Sequence, residues 1–180
     1  LVLELPLPWA VSSAETFADG GVQVLSATGV VTDLAFGSEC GEAVPLLELA
    51  GCLLSPEYAK ELRCRLDSGL SYAACRQAAV AAFLGSEKAA LLESPNNILG
   101  VEYCKALLRR GSVLRPLSVR REGSAHDGAL EPGAHPSASA LRALLRQGET
   151  ERALSLLPSA MGRAYREEAA AGRAPVFAET

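Results

Sequence analysis

Ser94-Pro95-Asn96-Asn97-Ile98-Leu99-Gly100-Val101-Glu102-Tyr103-Cys104-Lys105-Ala106-Leu107 is the stretch on which the reading of this chain turns. The proline halts whatever precedes it. Ile98, Leu99, Val101, Tyr103, Ala106 and Leu107 then recur at helical spacing. Asparagine is a strong N-cap, because its side-chain oxygen can accept a first-turn N–H. The pattern predicts an Asn-capped helix over roughly residues 97–110, with Gly111 past its end as C-cap. Two amides at such a tip would offer donors and acceptors beside backbone N–H groups, which suits an anionic or nucleotide ligand. The same pattern also serves a plain, well-capped helix, and on the residues alone both readings stand.

Working outward, strands alternate with helices. Residues 1–5 and Val31–Phe36 read as strands, as does Val113–Arg121, and a loop through Pro8 and Trp9 follows the first of them. Helices are expected at about 13–25, 43–53, 56–68, 71–84, 137–147, 149–156 and 158–170, with Gly20-Gly21 weakening the middle of the first. Residues 122–136, rich in Gly, Ala, His and Pro, read as a mobile loop. This order implies an α/β fold, a mainly parallel sheet with helices on both faces. Ligands of such sheets bind beyond the carboxyl ends of the strands. Gly37-Ser38-Glu39 and Arg120-Arg121 end two strands, and the Asn pair opens the helix leading into the last one.

Composition narrows the classes. The 180 residues are 49% hydrophobic but only 5% aromatic, enough for one domain built of helices over a small sheet. A net charge of −4 argues against a whole-surface nucleic-acid binder. The exception is local: Lys105, Arg109, Arg110, Arg115, Arg120 and Arg121 fall in a run free of acidic residues, and Lys105, Arg109 and Arg110 are its candidate RNA contacts. Cys40, Cys52, Cys64, Cys75 and Cys104 are odd in number and form no CxxC pair, so neither a zinc site nor a disulfide framework is expected. They read as reduced, mostly buried cysteines of a cytoplasmic protein. Leu1-Val2-Leu3-Glu4-Leu5-Pro6 lacks a basic leader and is broken by Glu4 and Pro6, so it reads as neither signal peptide nor membrane span. A chain that starts at Leu1, has Met161 as its sole methionine and stops abruptly reads as an internal piece of a longer protein.

After the loop, His135-Pro136-Ser137-Ala138-Ser139-Ala140-Leu141-Arg142 opens a helix with two hydroxyls and an arginine. Ser139 and Arg142 share a face, and Ser137 suits the N-cap. The alternative is a serine-capped helix with an exposed arginine.

Four segments together carry a resemblance: Leu1–Pro6, Phe36-Gly37-Ser38-Glu39, Pro95–Tyr103 and Ser137–Arg142. In this order they resemble segments of the bacterial tRNA(Met) cytidine acetate ligases, relatives of the HxGH nucleotidyltransferases. The resemblance implies a partial Rossmann-like nucleotidyltransferase sheet with added helices. Residues 1–135 would form the central and C-terminal part of that domain and residues 136–180 a helical extension. It implies a two-step reaction: ATP and acetate give acetyl-adenylate, and the acetyl group then passes to the wobble cytidine of elongator tRNA(Met), forming N4-acetylcytidine. By the same resemblance Gly37, Asn96 and Arg121 bind ATP, with Gly37 letting the nucleotide approach the backbone. Ser137, Ser139 and Arg142 match a phosphate-holding region. Magnesium is implied by nucleotide chemistry, with no ligand assignable. The HxGH motif itself does not occur: His126 and His135 are the two histidines, and neither has that context. Catalytic residues are therefore unassigned, and the piece alone is expected to be inactive. Two other classes stay open, another small-molecule nucleotidyltransferase and a non-catalytic RNA-binding module.

Overall fold

A computed structural model describes residues 5–67, 69–121 and 136–173. The expected strand at 1–5 (but for Leu5), the expected loop 122–136 (but for Pro136) and both histidines lie outside the described residues. The chain divides into two compact units, Leu1–Arg121 and Glu122–Thr180.

The first unit opens with a short helix, α1 (Leu7–Ala10), where a loop was expected. Its Trp9 explains the glycine pair that follows. A Cβ on Gly20 would meet the indole at 2.7 Å, so the missing side chain makes room for Trp9, whose Nε1 donates to the Phe17 carbonyl at 3.2 Å. Helix α2 (Ala14–Ala27) therefore runs unbroken through Gly20-Gly21, capped by Ser13, which accepts the Thr16 N–H.

Strand β1 (Asp33–Ser38) leads into α3 (Ala43–Leu54), α4 (Pro56–Leu66), α5 (Tyr72–Leu84) and α6 (Ser86–Ala90). Ser55 and Ser71 cap α4 and α5 by accepting the N–H of Tyr58 and Ala74. Helix α6 and the 3-10 turn Leu91–Glu93 were not foreseen. Helix α7 (Pro95–Arg110) starts two residues before its expected beginning, with Pro95 at its first position and Ser94 at the cap. The asparagines thus sit inside the first turn and are not its caps. Gly111, at φ 55°, closes α7 in the left-handed conformation, and Ser112 N donates to the Leu107 carbonyl. Strand β2 (Arg115–Arg120) then pairs parallel with β1, with Asp33 opposite Arg115, Gly37 opposite Val119 and Ser38 opposite Arg120.

Helix α7 is the central beam. One side packs with α3 to α6 around Leu46, Leu49, Val80, Val101 and Cys104. Another packs with α2 and β1 around Val22, Leu34, Ala106, Leu107 and Leu114. Burying each of the larger aliphatic side chains contributes about 1.5–3 kcal/mol. Phe36 of β1 stacks on Tyr103 of α7 at 5.5 Å between ring centroids. The opposite face of the strand pair exposes Ala35, Gly37, Leu117 and Val119. Two of the five cysteines, Cys75 and Cys104, are buried, whereas Cys40 and Cys52 are half-buried and Cys64 is exposed. The expectation of mostly buried thiols is corrected accordingly.

The second unit contains α8 (Ala138–Arg146), α9 (Thr150–Ser155) and α10 (Ser159–Ala170). Leu144, Ala153, Leu154 and Gly162 are buried in it, and Arg166 holds the Glu151 carboxylate through two N–H donors. Among the described residues no helix is long and apolar enough to cross a membrane.

Candidate nucleotide site

Parallel pairing brings the C-terminal ends of β1 and β2 together, and α7 points its first turn at the same place. Ser38, fully buried, joins the two strands through a 2.6 Å hydroxyl contact with Ser118. Its hydroxyl also accepts the Gly41 N–H at 2.9 Å, which turns the chain sharply after β1. Gly41 has φ 76°, and a Cβ there would stand 2.6 Å from Cβ of Arg120, so both backbone and space demand glycine.

Beyond Ser38, β1 and α7 clasp each other through exchanged side chains. The Glu39 carboxylate accepts the backbone N–H of Asn96 at 3.3 Å and of Asn97 at 2.8 Å, and the Asn96 side-chain amide at 2.7 Å. In return the Asn97 side-chain oxygen accepts the backbone N–H of Glu39 at 3.0 Å and of Cys40 at 3.1 Å. Its amide nitrogen donates to the Leu91 carbonyl at 3.1 Å. The arrangement is a capping box built across the fold. It revises the expectation of an open anion site at the helix tip. Pro95 has no N–H, Asn96 and Asn97 give theirs to Glu39, and Ile98 gives its own to the Ser94 carbonyl. The first turn has no backbone donor left for a phosphate.

Burial pushes the Glu39 carboxyl up, but the hydrogen bonds from Asn96 and from backbone N–H groups outweigh it and hold it below the ordinary 4.5. A carboxyl lowered by folding stabilises the fold fully above its unfolded value and loses that contribution as pH falls through the folded value. Glu39→Gln should therefore be less stable than wild type at pH 7, and the gap should close as pH drops below 4.5. Denaturant midpoints measured from pH 7 to pH 3 check this, and a gap of constant size would contradict it.

What remains open for a ligand is side-chain chemistry. Arg121, just past β2, is exposed and donates from Nη1 to the Asn96 side-chain oxygen at 3.4 Å. A Cβ on Gly37 would approach Cγ of Arg121 at 3.1 Å. The space above Gly37 thus holds the arginine stem, a reason for glycine that the sequence did not disclose. Gly37, Asn96 and Arg121 are brought together as the sequence suggested. Gly37→Ala should leave the fold intact, because a flexible stem can yield. On the ATP reading proposed below, it should weaken ATP binding about threefold to tenfold, the equivalent of about 0.7–1.4 kcal/mol. Calorimetric titration reads this, and unchanged affinity would separate Gly37 from the site.

Lys105, Arg109 and Arg110 do not join this group. They lie on the stretch of α7 facing α2, each with an acidic partner. Lys105 meets Glu102 at 2.7 Å and Glu15 at 3.7 Å, Arg109 bonds Glu15, and Arg110 grips Asp19 through Nε at 2.8 Å and Nη2 at 2.6 Å. The Arg109 hydrogen bond and the Lys105 charge hold the Glu15 carboxyl below its usual range. These three bases are thus paired with Glu15 and Asp19 of α2 and, for Lys105, with Glu102 of α7 itself. In the second unit Ser137 caps α8 by accepting the Ala140 N–H at 3.1 Å, and Ser139 and Arg142 are exposed on that helix.

Among the described residues no three His, Cys, Asp or Glu side chains gather to hold a metal ion. The Glu39 carboxylate is occupied by N–H donors.

Polar side chains collected beyond the C-terminal ends of parallel strands lie where α/β proteins bind their ligands. The chain belongs to the HIGH nucleotidyl transferase family, whose family model matches residues 1–180. It is 41% identical to a tRNA(Met) cytidine acetate ligase of Syntrophomonas wolfei over 98% of this chain and 44% of that protein. It is 37% identical to the protein of the same name from Fervidobacterium nodosum, over 99% of this chain and 42% of that one. In structure it is similar to crystalline Thermotoga maritima TmcAL in the apo form, with TM-score 0.86 and 37% identity over 98% of this chain and 43% of that one. The same protein bound with alpha-thio ATP gives TM-score 0.81 and 36% identity, over 98% of this chain and 42% of that one. The chain spans less than half the length of each of these proteins.

Proposed function

We propose that this chain supplies part of the ATP site of a cytoplasmic tRNA(Met) cytidine acetate ligase. The observation that carries the reading is the Gly37–Asn96–Arg121 group, on a chain similar to a ligase structure that holds an ATP analogue. In the proposed reaction an acetate oxygen attacks the α-phosphorus of ATP and pyrophosphate leaves. The exocyclic amine of the wobble cytidine in elongator tRNA(Met) then attacks the acetyl carbon, AMP leaves, and the amine gives up a proton. Adenylation asks a protein mainly to align the phosphates and to meet charge developing on them. Arg121 has donors to spare for that purpose after serving Asn96. Gly37 leaves its stem room to lie across the strand ends. Ser137, Ser139 and Arg142, on the second unit, are proposed as phosphate contacts. Lys105, Arg109 and Arg110 are proposed as tRNA contacts, their charge shared with Glu15, Asp19 and Glu102.

Two assays on the full-length protein test the reading together. Acetate-dependent exchange of labelled pyrophosphate into ATP reports the first step, and N4-acetylcytidine in elongator tRNA(Met) reports the second. Both are expected. Absence of acetate-dependent exchange would overturn the ligase reading, and exchange without acetylated tRNA would redirect it to another adenylating enzyme.

A further inference from the structure

Glu39 needs no contact with a nucleotide to control one. Its Oε1 accepts the side-chain amide of Asn96 at 2.7 Å, and the Asn96 side-chain oxygen accepts Nη1 of Arg121 at 3.4 Å. A carboxylate has acceptors and no donor, so the Asn96 amide must turn its nitrogen to Glu39. Its oxygen is thereby aimed at Arg121. Were the amide reversed, an NH2 group would face a guanidinium, donor against donor. Glu39 is itself held in place, since its Oε2 accepts the Asn97 N–H at 2.8 Å and Asn97 grips the Glu39 backbone in return.

We propose that Glu39 is a positioning residue of the nucleotide site: it fixes the Asn96 amide so that its oxygen holds the Arg121 guanidinium, whose stem lies over Gly37, ready for a phosphate. The inference rests on the ATP reading above. Because Arg121 has five N–H donors and gives one to Asn96, the others stay available to phosphate oxygens.

Exchanging the two groups tests this in the full-length protein, with ATP affinity measured by calorimetry. N96D sets two carboxylates against each other and should weaken ATP binding by at least about tenfold. E39Q/N96D restores an amide facing a carboxylate, with unchanged total charge and an acceptor again turned to Arg121. Its affinity should return to within about threefold of wild type. A merely structural Glu39 would make the second change add to the first. A double-mutant cycle decides independently if N96D fails to fold. E39A should weaken ATP binding about fivefold with Arg121 present and less than about twofold in the R121A background. Equal effects of E39A in both backgrounds, or an E39Q/N96D variant no tighter than N96D, would overturn the proposal. Wild type that binds ATP with such additive variants overturns this inference alone, whereas wild type that fails to bind ATP overturns the reading beneath it and the inference with it.

Discussion

Asn97→Ala should cost the fold about 3 kcal/mol or more, the largest loss expected from a single polar side chain here. The side chain is 2% exposed and makes three hydrogen bonds, accepting from Glu39 and Cys40 and donating to Leu91. Truncation leaves two N–H groups and one carbonyl without these partners. Each such group costs about 1–3 kcal/mol when fully buried. Glu39 and Cys40 are only half-buried, so water recovers part of the loss and the lower end of the range applies. The turn after β1 would loosen at the same time, and with it the carboxylate that caps α7. A urea midpoint shifted at unchanged slope would give the measurement. A loss below about 1 kcal/mol would mean that the clasp does not hold β1 to α7.

Gly100→Val should rank close behind, at about 2–3 kcal/mol. A Cβ at this position would lie 2.8 Å from Cε2 of Phe36 and 2.9 Å from Cδ1 of Leu46. Helix propensity alone favours the change by about 0.4 kcal/mol. Overpacking of a filled core costs about 1–3 kcal/mol even for an added methylene, and valine adds three carbons. The clash therefore wins. It would also press on Phe36, whose strand ends at Gly37, so weaker ATP binding should accompany the loss of stability. A variant as stable as wild type in chemical denaturation would show that α7 does not need close approach to β1.

The residues that were legible in the sequence act on near neighbours. Ser137 accepts an N–H three residues on, and Gly111 turns left-handed directly after its helix. Alternation of apolar residues sufficed for β1, β2 and the long helices, to within a few residues at their ends. The Pro-Asn-Asn stretch was found, but its chemistry was misread in one respect. Its acceptor, Glu39, lies 57 residues upstream, and nothing local says that the helix tip is already occupied. The pairing of the run from Lys105 to Arg110 was hidden for the same reason. Its counter-ions, Glu15 and Asp19, belong to α2, about ninety residues earlier, and are found only when α2 is packed against α7. Gly37 was expected to make room for a nucleotide, and the neighbour it spares in the structure is the stem of Arg121. Long-range pairing escapes a linear reading, and here it decides which polar groups remain free for a ligand.

On the reading proposed above, ATP is held at the C-terminal ends of β1 and β2 by the Asn96–Arg121 pair. Calorimetric titration of ATP into the full-length protein and its Arg121→Ala variant tests it most directly. Arg121 is exposed and, among the described residues, its side chain bonds Asn96, so the variant should fold with an unchanged thermal midpoint in the absence of nucleotide. The account predicts binding by the wild type and a loss of at least about tenfold in the variant, equivalent to about 1.4 kcal/mol. Equal affinity in the two proteins would place the nucleotide elsewhere and contradict it.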